Sequence, residues 1–346
     1  MVFGHLAGRE SLRDVVTCLS AHREKLYHLG FSTRVYLPTL AHANETRDWR
    51  IWRDLALVLI KEARSLYVDE PAIADDITGA CYAIDSTSIE VCLSLFPWAR
   101  YVRTAGAVKL HLGLSLRGSI PAFFDFTDGK VSDVNFLDDV VFEKGAFYAM
   151  DRGYLDFKRL YAIHQTGAYF VIRPRCNTLY QRRYSNEVDK NTGVLCDQVI
   201  FLTGTNTPAH YPETLRRIKY RDAETEKVYI FFTNNTEVSA ASIALLYKHR
   251  WQIELFFKWI KQHLTIKAFW GRSENAVKTH ICIALCAYLL VAICKKKLRI
   301  KRSLYEMLQI LNVSLIDTNG LTELLFESEI QKDVKGSENM ASLFDV

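Results

Sequence analysis

Two short segments of this chain rhyme, Tyr82-Ala83-Ile84-Asp85 and Tyr148-Ala149-Met150-Asp151, and the rhyme restricts the fold more than any other feature. In each, a hydrophobic run ends on an aspartate. Short apolar runs of this kind read as strands, and a carboxylate just past a strand stands at the sheet edge where ligands bind in α/β folds. Taken singly, an aspartate there is most simply a turn or cap residue. Two in matching contexts, followed by a third carboxylate on a helix, make a candidate site.

The third carboxylate is Glu254. Tyr247, Arg250, Glu254, Lys258 and Lys261 recur at intervals of three and four in YKHRWQIELFFKWIK, so they share one helical face. Leu246, Ile253, Phe257, Ile260 and Leu264 form an adjoining apolar face that would pin the helix to a core. The charged face, one acid among three cations and a phenol, suits an anionic partner. An ordinary amphipathic helix with an Arg250–Glu254 pair at i,i+4 has the same spacing, and the helix alone does not decide between the two.

The surrounding pattern predicts an α/β protein. Residues 1–70 read as a helical N-terminal region, with periodic segments at Leu12–Leu26 and Trp49–Leu66 and a turn-like stretch around Pro38 between them. Cys81–Ile84, Val108–Ser115, Pro121–Thr127, Ala146–Met150 and Ala168–Arg173 read as strands, with a helix at Leu155–Thr166. A β-rich insertion is expected over about 176–228, before a strand at Val228–Thr233 and the charged helix. The catalytic domain is expected over 78–270 and a helical C-terminal region over 271–346, with its last ten residues mobile.

Charge and cysteine content narrow the function classes. The chain has 346 residues and a net charge of +5, but between Trp251 and Ile300 lysine and arginine far outnumber the only acids, Glu254 and Glu274. Such a local basic surface suits a polyanion. The run Lys295–Lys297, Arg299, Lys301 and Arg302 reads equally as a DNA contact or a solvated helix end. Eight cysteines form no CxxC pair and sit mostly in apolar runs, which points to buried reduced thiols and away from a zinc site or disulfide framework. Ile281–Cys294 is too short to span a bilayer and reads as a buried helix, so no membrane partner is expected.

Three hard carboxylates without a companion His or Cys suit Mg²⁺ or Mn²⁺. A pair of such ions can activate an attacking oxygen on one side of phosphorus and stabilise the leaving oxygen on the other. Phosphodiester hydrolysis and transfer follow. A paired-carboxylate glycosidase is the competing enzyme reading, and it leaves the basic face unexplained. Asp128, Asp133 and Asp156 read as turn or cap residues, Asp133 being the reserve ligand should Asp151 be misplaced.

The residues also resemble a known family. Asp85, Asp151 and Glu254 resemble the acidic triad of RNase-H-like DDE transposases, and Tyr247-x2-Arg250-x3-Glu254-x6-Lys261 resembles the Y-R-E-K signature of the bacterial insertion-sequence-four family. GRESLRDV (Gly8–Val15), TRDWRIW (Thr46–Trp52), DGKVSDVNFLD (Asp128–Asp138), MDRGYLDF (Met150–Phe157) and FWGRSENAVKTH (Phe269–His280) extend the resemblance over nearly the whole chain. It implies an RNase-H-like mixed sheet flanked by helices and cut-and-paste DNA transposition. Asp85, Asp151 and Glu254 would hold two Mg²⁺ ions, with Mn²⁺ able to substitute.

The same resemblance implies that Tyr247, Arg250 and Lys261 contact backbone phosphates near the cleaved end. Arg250 would grip bidentately and Lys261 would act as a point charge. Trp251 either stacks on a displaced base or packs at the helix margin; Lys258 shares the charged face outside the signature. The implied partners are the terminal inverted repeats, target DNA and a second copy of the chain in a synaptic homodimer. The implied location is the bacterial cytoplasm, on the nucleoid when bound. Met1 opens almost inside the segment resembling the family, so the N-terminal DNA-binding unit is expected to be short or the reading frame truncated. An RNase-H-like nuclease without strand transfer and an inactive DNA-binding remnant stay open beside the transposase.

Overall fold

The structure, a computed structural model, describes residues 1–27, 30–31, 34–92, 94–99, 106–264, 266, 269–315 and 324–325. The acidic C-terminal end expected to be mobile lies outside them. Two compact units divide the chain. One comprises Glu70–Thr87 and Lys109–Phe256; the other comprises Met1–Asp69, Ser88–Val108 and Phe257–Val346.

The first unit is built on a mixed sheet. Its strands are β1 (Cys81–Val91), β2 (Gly106–Ser115), β3 (Ile120–Asp128), β4 (Phe147–Met150), β5 (Tyr169–Ile172), β6 (Tyr180–Asn186), β7 (Val194–Leu202), β8 (Leu215–Arg221) and β9 (Val228–Thr233), in the spatial order β3-β2-β1-β4-β5-β9-β8-β7-β6. The end of β1 and the start of β2 are assigned to the other unit. β1, β4 and β5 run parallel, and the helix α5 (Phe157–Gln165) makes the crossover between the last two. β9 pairs antiparallel with β5, and β8, β7 and β6 continue outward as an antiparallel meander. This is the mixed α/β class expected from the sequence.

The rhyme between the two aspartate-bearing segments is a register. Tyr82 pairs with Tyr148, Ala83 with Ala149 and Ile84 with Met150 across adjacent parallel strands, so each aspartate follows the last of these pairs by one residue; β4 ends there, whereas β1, expected to stop at Asp85, runs on through it to Val91. All three pairs are completely or almost completely buried, which in a parallel sheet covered on both faces removes any alternation. Two glycines let the strands start side by side. A Cβ on Gly79 would collide with the carbonyl oxygen of Gly145, and Gly145 has a φ of +78°. Only glycine meets such a close backbone approach without strain.

Beyond the parallel strands, a buried bidentate pair fastens the meander to the chain leading into the charged helix. Arg216 donates through Nε and a terminal nitrogen to both oxygens of Asp197, at 2.8 and 2.7 Å. Its other terminal nitrogen donates to the Val238 carbonyl at 2.5 Å. The next residue, Ser239, caps α7 (Ala240–His249) by accepting from the Ser242 amide.

The charged segment, expected as one helix, is two. Arg250 separates α7 from α8 (Trp251–His263), and two three-residue bonds, Arg250 N–H to Tyr247 O and Ile253 N–H to Arg250 O, both 3.1 Å, tighten the turn. No glycine or proline marks the break in the sequence. The apolar face is nonetheless buried as expected, at Leu246, Ile253, Phe257, Ile260 and Leu264.

The second unit is mostly helical, with α1 (Val2–Leu6), α2 (Leu12–Ala21), α3 (Leu37–Thr46), α4 (Arg50–Leu66), α9 (Glu274–Lys297) and α10 (Leu304–Ser314); α6 (Thr207–His210) is a single turn of the sheet unit. By length and composition α9 could cross a membrane, but 83% of its apolar window is buried inside the protein, as a core helix should be. Cys282 and Cys286 pack there, fully buried. The expectation that the thiols are mostly buried fails elsewhere: Cys92, Cys176 and Cys294 are exposed. Local apolar sequence does not determine which side of an element faces solvent.

Candidate active site

Within the sheet unit, the middle of β1, the end of β4 and the α7–α8 junction bring the candidate carboxylates into one electrostatic neighbourhood. Asp85 Oδ1 accepts from the Ser86 amide at 2.8 Å, and Asp85 Oδ2 faces an Arg250 terminal nitrogen at 3.4 Å. The other terminal nitrogen of Arg250 donates to Glu254 Oε1 at 2.5 Å. One guanidinium thus bridges a strand and a helix. The i,i+4 pair weighed from the sequence is present, and it is shared with the first aspartate.

Asp151 is held differently. It caps the single turn Arg152–Tyr154 by accepting from the Gly153 amide at 2.8 Å. Its charge still reaches Asp85, whose carboxyl is pushed up to about 7. Burial is the chief cause, and the negative charges of Asp151 and Glu254 add to it against the Ser86 amide and Arg250. Burial alone would disfavour the Arg250 charge, but Tyr247, Glu254 and Asp85 together hold its pKa above the ordinary value.

Tyr247 lies beneath the guanidinium, 5.6 Å from ring centroid to Arg250 Cζ, and against Phe231 of β9 at 4.7 Å. Arg250 Nε is buried with no hydrogen-bond partner among the described residues. Trp251 is 56% exposed. Lys258 and Lys261 lie on the part of α8 that belongs to the helical unit. There Lys258 is exposed and Lys261 donates to the Ser88 carbonyl at 3.0 Å.

Sequence reasoning missed a polar cluster behind Asp85. Lys109, buried in the middle of β2, donates to the Val131 carbonyl at 2.7 Å and pairs with Asp133 at 3.0 Å. Ser86 donates to the same Asp133 oxygen at 2.7 Å. Asp133 is therefore committed to Lys109 and Ser86, and Asp156 caps α5 through the Arg159 amide, as its cap reading expected. The signal was present: Lys109 and His111 interrupt an otherwise apolar strand whose nine residues from Gly106 to Leu114 are all buried, and a charge there requires a partner.

As they stand, no three carboxylate, imidazole or thiolate groups among the described residues are close enough together to enclose a metal. The donor set nevertheless suits a hard divalent cation: carboxylate oxygens only, one of them with its proton affinity raised by burial and, after that, by like charge, and a guanidinium neutralising two of the three. A cation could replace Arg250 as the neutralising charge and free its donors for a phosphate.

Residues 78–290 match the family model described as a transposase DDE domain, and residues 1–32 match a domain of unknown function (DUF4372). A Sinorhizobium fredii protein named as a transposase is 34% identical over 63% of this chain and 61% of its own length. A Geobacillus stearothermophilus protein, named as a transposase for insertion sequence element IS5377, is 30% identical over 60% of this chain and 55% of its own. The matches to these two relatives thus span about six tenths of their length. A solved structure titled as the piggyBac transposase synaptic complex with hairpin DNA aligns with a TM-score of 0.43 and 12% identity, over 75% of this chain and 57% of that one.

Proposed function

This chain belongs to the transposase DDE domain family, and on that premise we propose that it excises an insertion sequence and joins it to new DNA. One observation carries the reading. Asp85, within β1, and Asp151, just past β4, each follow the paired segments of neighbouring parallel strands by one residue, while Arg250 ties Asp85 to Glu254. Nothing in the packing of a sheet requires three acids at that place, and a cluster of like charge is costly unless something cationic uses it.

In the proposed mechanism Asp85, Asp151 and Glu254 hold the two Mg²⁺ ions, for which Mn²⁺ would substitute. Bound there, the ions would supply Lewis-acid polarisation of the phosphate and a lowered pKa for the attacking oxygen. Water attacks phosphorus at the element end and the 3′ oxygen leaves with the proton it gains. The new 3′ hydroxyl attacks the opposite strand, closing a hairpin. A second water opens it, and the 3′ hydroxyl then attacks target DNA.

The chain's own part is to hold and release. Arg250 exchanges Asp85 and Glu254 for a phosphate, presenting a planar fork to two oxygens. Tyr247 keeps the guanidinium flat during that exchange, Lys261 supplies a point charge, and Lys258 and Trp251 contact the strand and a displaced base. Residues 1–70 are proposed to recognise the terminal inverted repeats. Joining two ends calls for a homodimer, acting on the bacterial nucleoid.

Incubation of the protein with pre-cut element ends, a target plasmid and Mg²⁺ tests this. Joined product is expected. Hydrolysis without joining would reduce the protein to a nuclease, and metal-independent binding without cleavage would leave only a DNA-binding remnant.

A further inference from the structure

Lys109 stands in the middle of β2 and is 8% exposed, on a strand that is buried throughout from Gly106 to Leu114. Burying an ammonium is costly, and a buried ion pair generally stabilises a fold no better than well-packed apolar side chains of similar volume. The charge therefore calls for a reason beyond packing.

Its contacts supply one. Lys109 Nζ donates to the Val131 carbonyl at 2.7 Å and lies 3.0 Å from Asp133 Oδ1. The Ser86 hydroxyl donates to that same oxygen at 2.7 Å, and the Ser86 amide donates to Asp85 Oδ1 at 2.8 Å. A continuous line of polar contacts thus runs from a buried lysine through Asp133 and Ser86 to Asp85, all within the sheet unit. A tie between β2 and the turn after β3 needs only Lys109, Val131 and Asp133. Ser86, on β1, lies outside that tie and joins it to the candidate metal ligand.

We infer that Ser86, Asp133 and Lys109 are positioning residues for Asp85. Lys109 neutralises Asp133 and holds it in place, and Asp133 anchors the Ser86 hydroxyl. Ser86, so anchored, keeps its amide on Asp85 Oδ1, leaving Oδ2, which Arg250 faces at 3.4 Å, for the divalent cation. Hydrogen bonds around a liganding carboxylate set its orientation, and losing such support typically weakens metal binding by about tenfold or more. The inference rests on the reading of Asp85 as a metal-holding carboxylate of a transposase. Ser86 and Lys109 belong to neither the acidic triad nor the Y-R-E-K signature.

Ser86→Ala removes the hydroxyl and keeps the amide, while Ser86→Thr keeps both. Thermal unfolding across a Mg²⁺ titration gives the concentration for half of the metal-dependent stabilisation, and nicking at varied end-DNA concentration gives kcat and KM. In Ser86→Ala the Mg²⁺ midpoint should rise about tenfold and kcat should fall by about the same factor, with KM for DNA unchanged. Ser86→Thr should restore both. Lys109→Met should move the midpoint in the same direction, and the double variant should be no worse than the worse single one, because the two residues act through one line. A Ser86→Ala midpoint equal to the parent's, or shifts that multiply in the double variant, overturns the inference. If Lys109→Met does not fold, the Ser86→Ala midpoint decides alone. Asp85→Asn run alongside separates two failures. If it nicks like the parent, the transposase reading falls; if it is inactive while Ser86→Ala matches the parent, only the positioning role falls.

Discussion

Asp85, within β1, and Asp151, just past β4, share a sequence pattern, a register and complete burial of the residues leading to them, yet they are in different states. Asp85 is buried among like charges, its carboxyl pushed up to about 7 and partly neutralised by Arg250. Asp151 is turned aside to cap a single helical turn. Backbone pairing sets where a carboxylate stands; the residues that follow set what it is doing there. After Asp85 comes Ser86, which points its hydroxyl at Asp133; after Asp151 comes a turn with a free amide at Gly153.

The comparison breaks most sharply if the two aspartates are not equally needed. Asp85→Asn and Asp151→Asn should each slow metal-dependent nicking by about a thousandfold or more, roughly 4 kcal/mol of transition-state stabilisation. Their effects on the metal-free fold should differ. Asp85→Asn relieves a buried like-charge cluster and should raise the melting temperature, while Asp151→Asn retains a cap and should leave it nearly unchanged. Equal shifts would show that the environments do not differ as described.

Register can be attacked directly. Gly79→Ala drives a Cβ into the Gly145 backbone oxygen, which cannot rotate away. The cost should be about 3 kcal/mol of unfolding free energy, read by chemical denaturation. A neutral result would mean that the two strands do not depend on this close approach.

A smaller effect tests the state of Asp85 itself. Its folded pKa lies near 7, above the ordinary 3.8, so between about pH 4 and pH 7 the folded protein binds more protons than the unfolded chain. Stability therefore falls as pH rises through that window and levels off above it. Relative to Asp85→Asn, the metal-free parent should lose stability steadily across it. A flat difference would place Asp85 in the ordinary carboxylate range. Smallest of all, Asp151→Ala should cost about 1 kcal/mol through loss of the Gly153 cap, again by denaturation.

Much of this was legible in the chain. Tyr82–Asp85 and Tyr148–Asp151 announced themselves because strand pairing in a parallel sheet repeats the same environment, and similar environments select similar residues. Ile253, Phe257 and Ile260 were placed in the core by periodicity alone. The break at Arg250 was not legible, since no glycine or proline marks it and the hydrogen bonds that tighten the turn leave no local trace. Lys109 and Asp133 were hidden for another reason: their pairing joins β2 to a turn more than twenty residues away, and a single charge in an apolar run does not name its partner. The exposed Cys92 and Cys294 show the same limit, as apolar neighbours say little about which side of a segment meets water.

The central claim is that Glu254, from a helix, completes with Asp85 and Asp151 a single metal-dependent site. Nicking of end DNA by the parent and by Glu254→Gln, across a titration of Mg²⁺, tests it most directly. The account predicts nicking that requires the metal and a loss of a thousandfold or more in the variant. A Glu254→Gln protein that cuts as fast as the parent would contradict it.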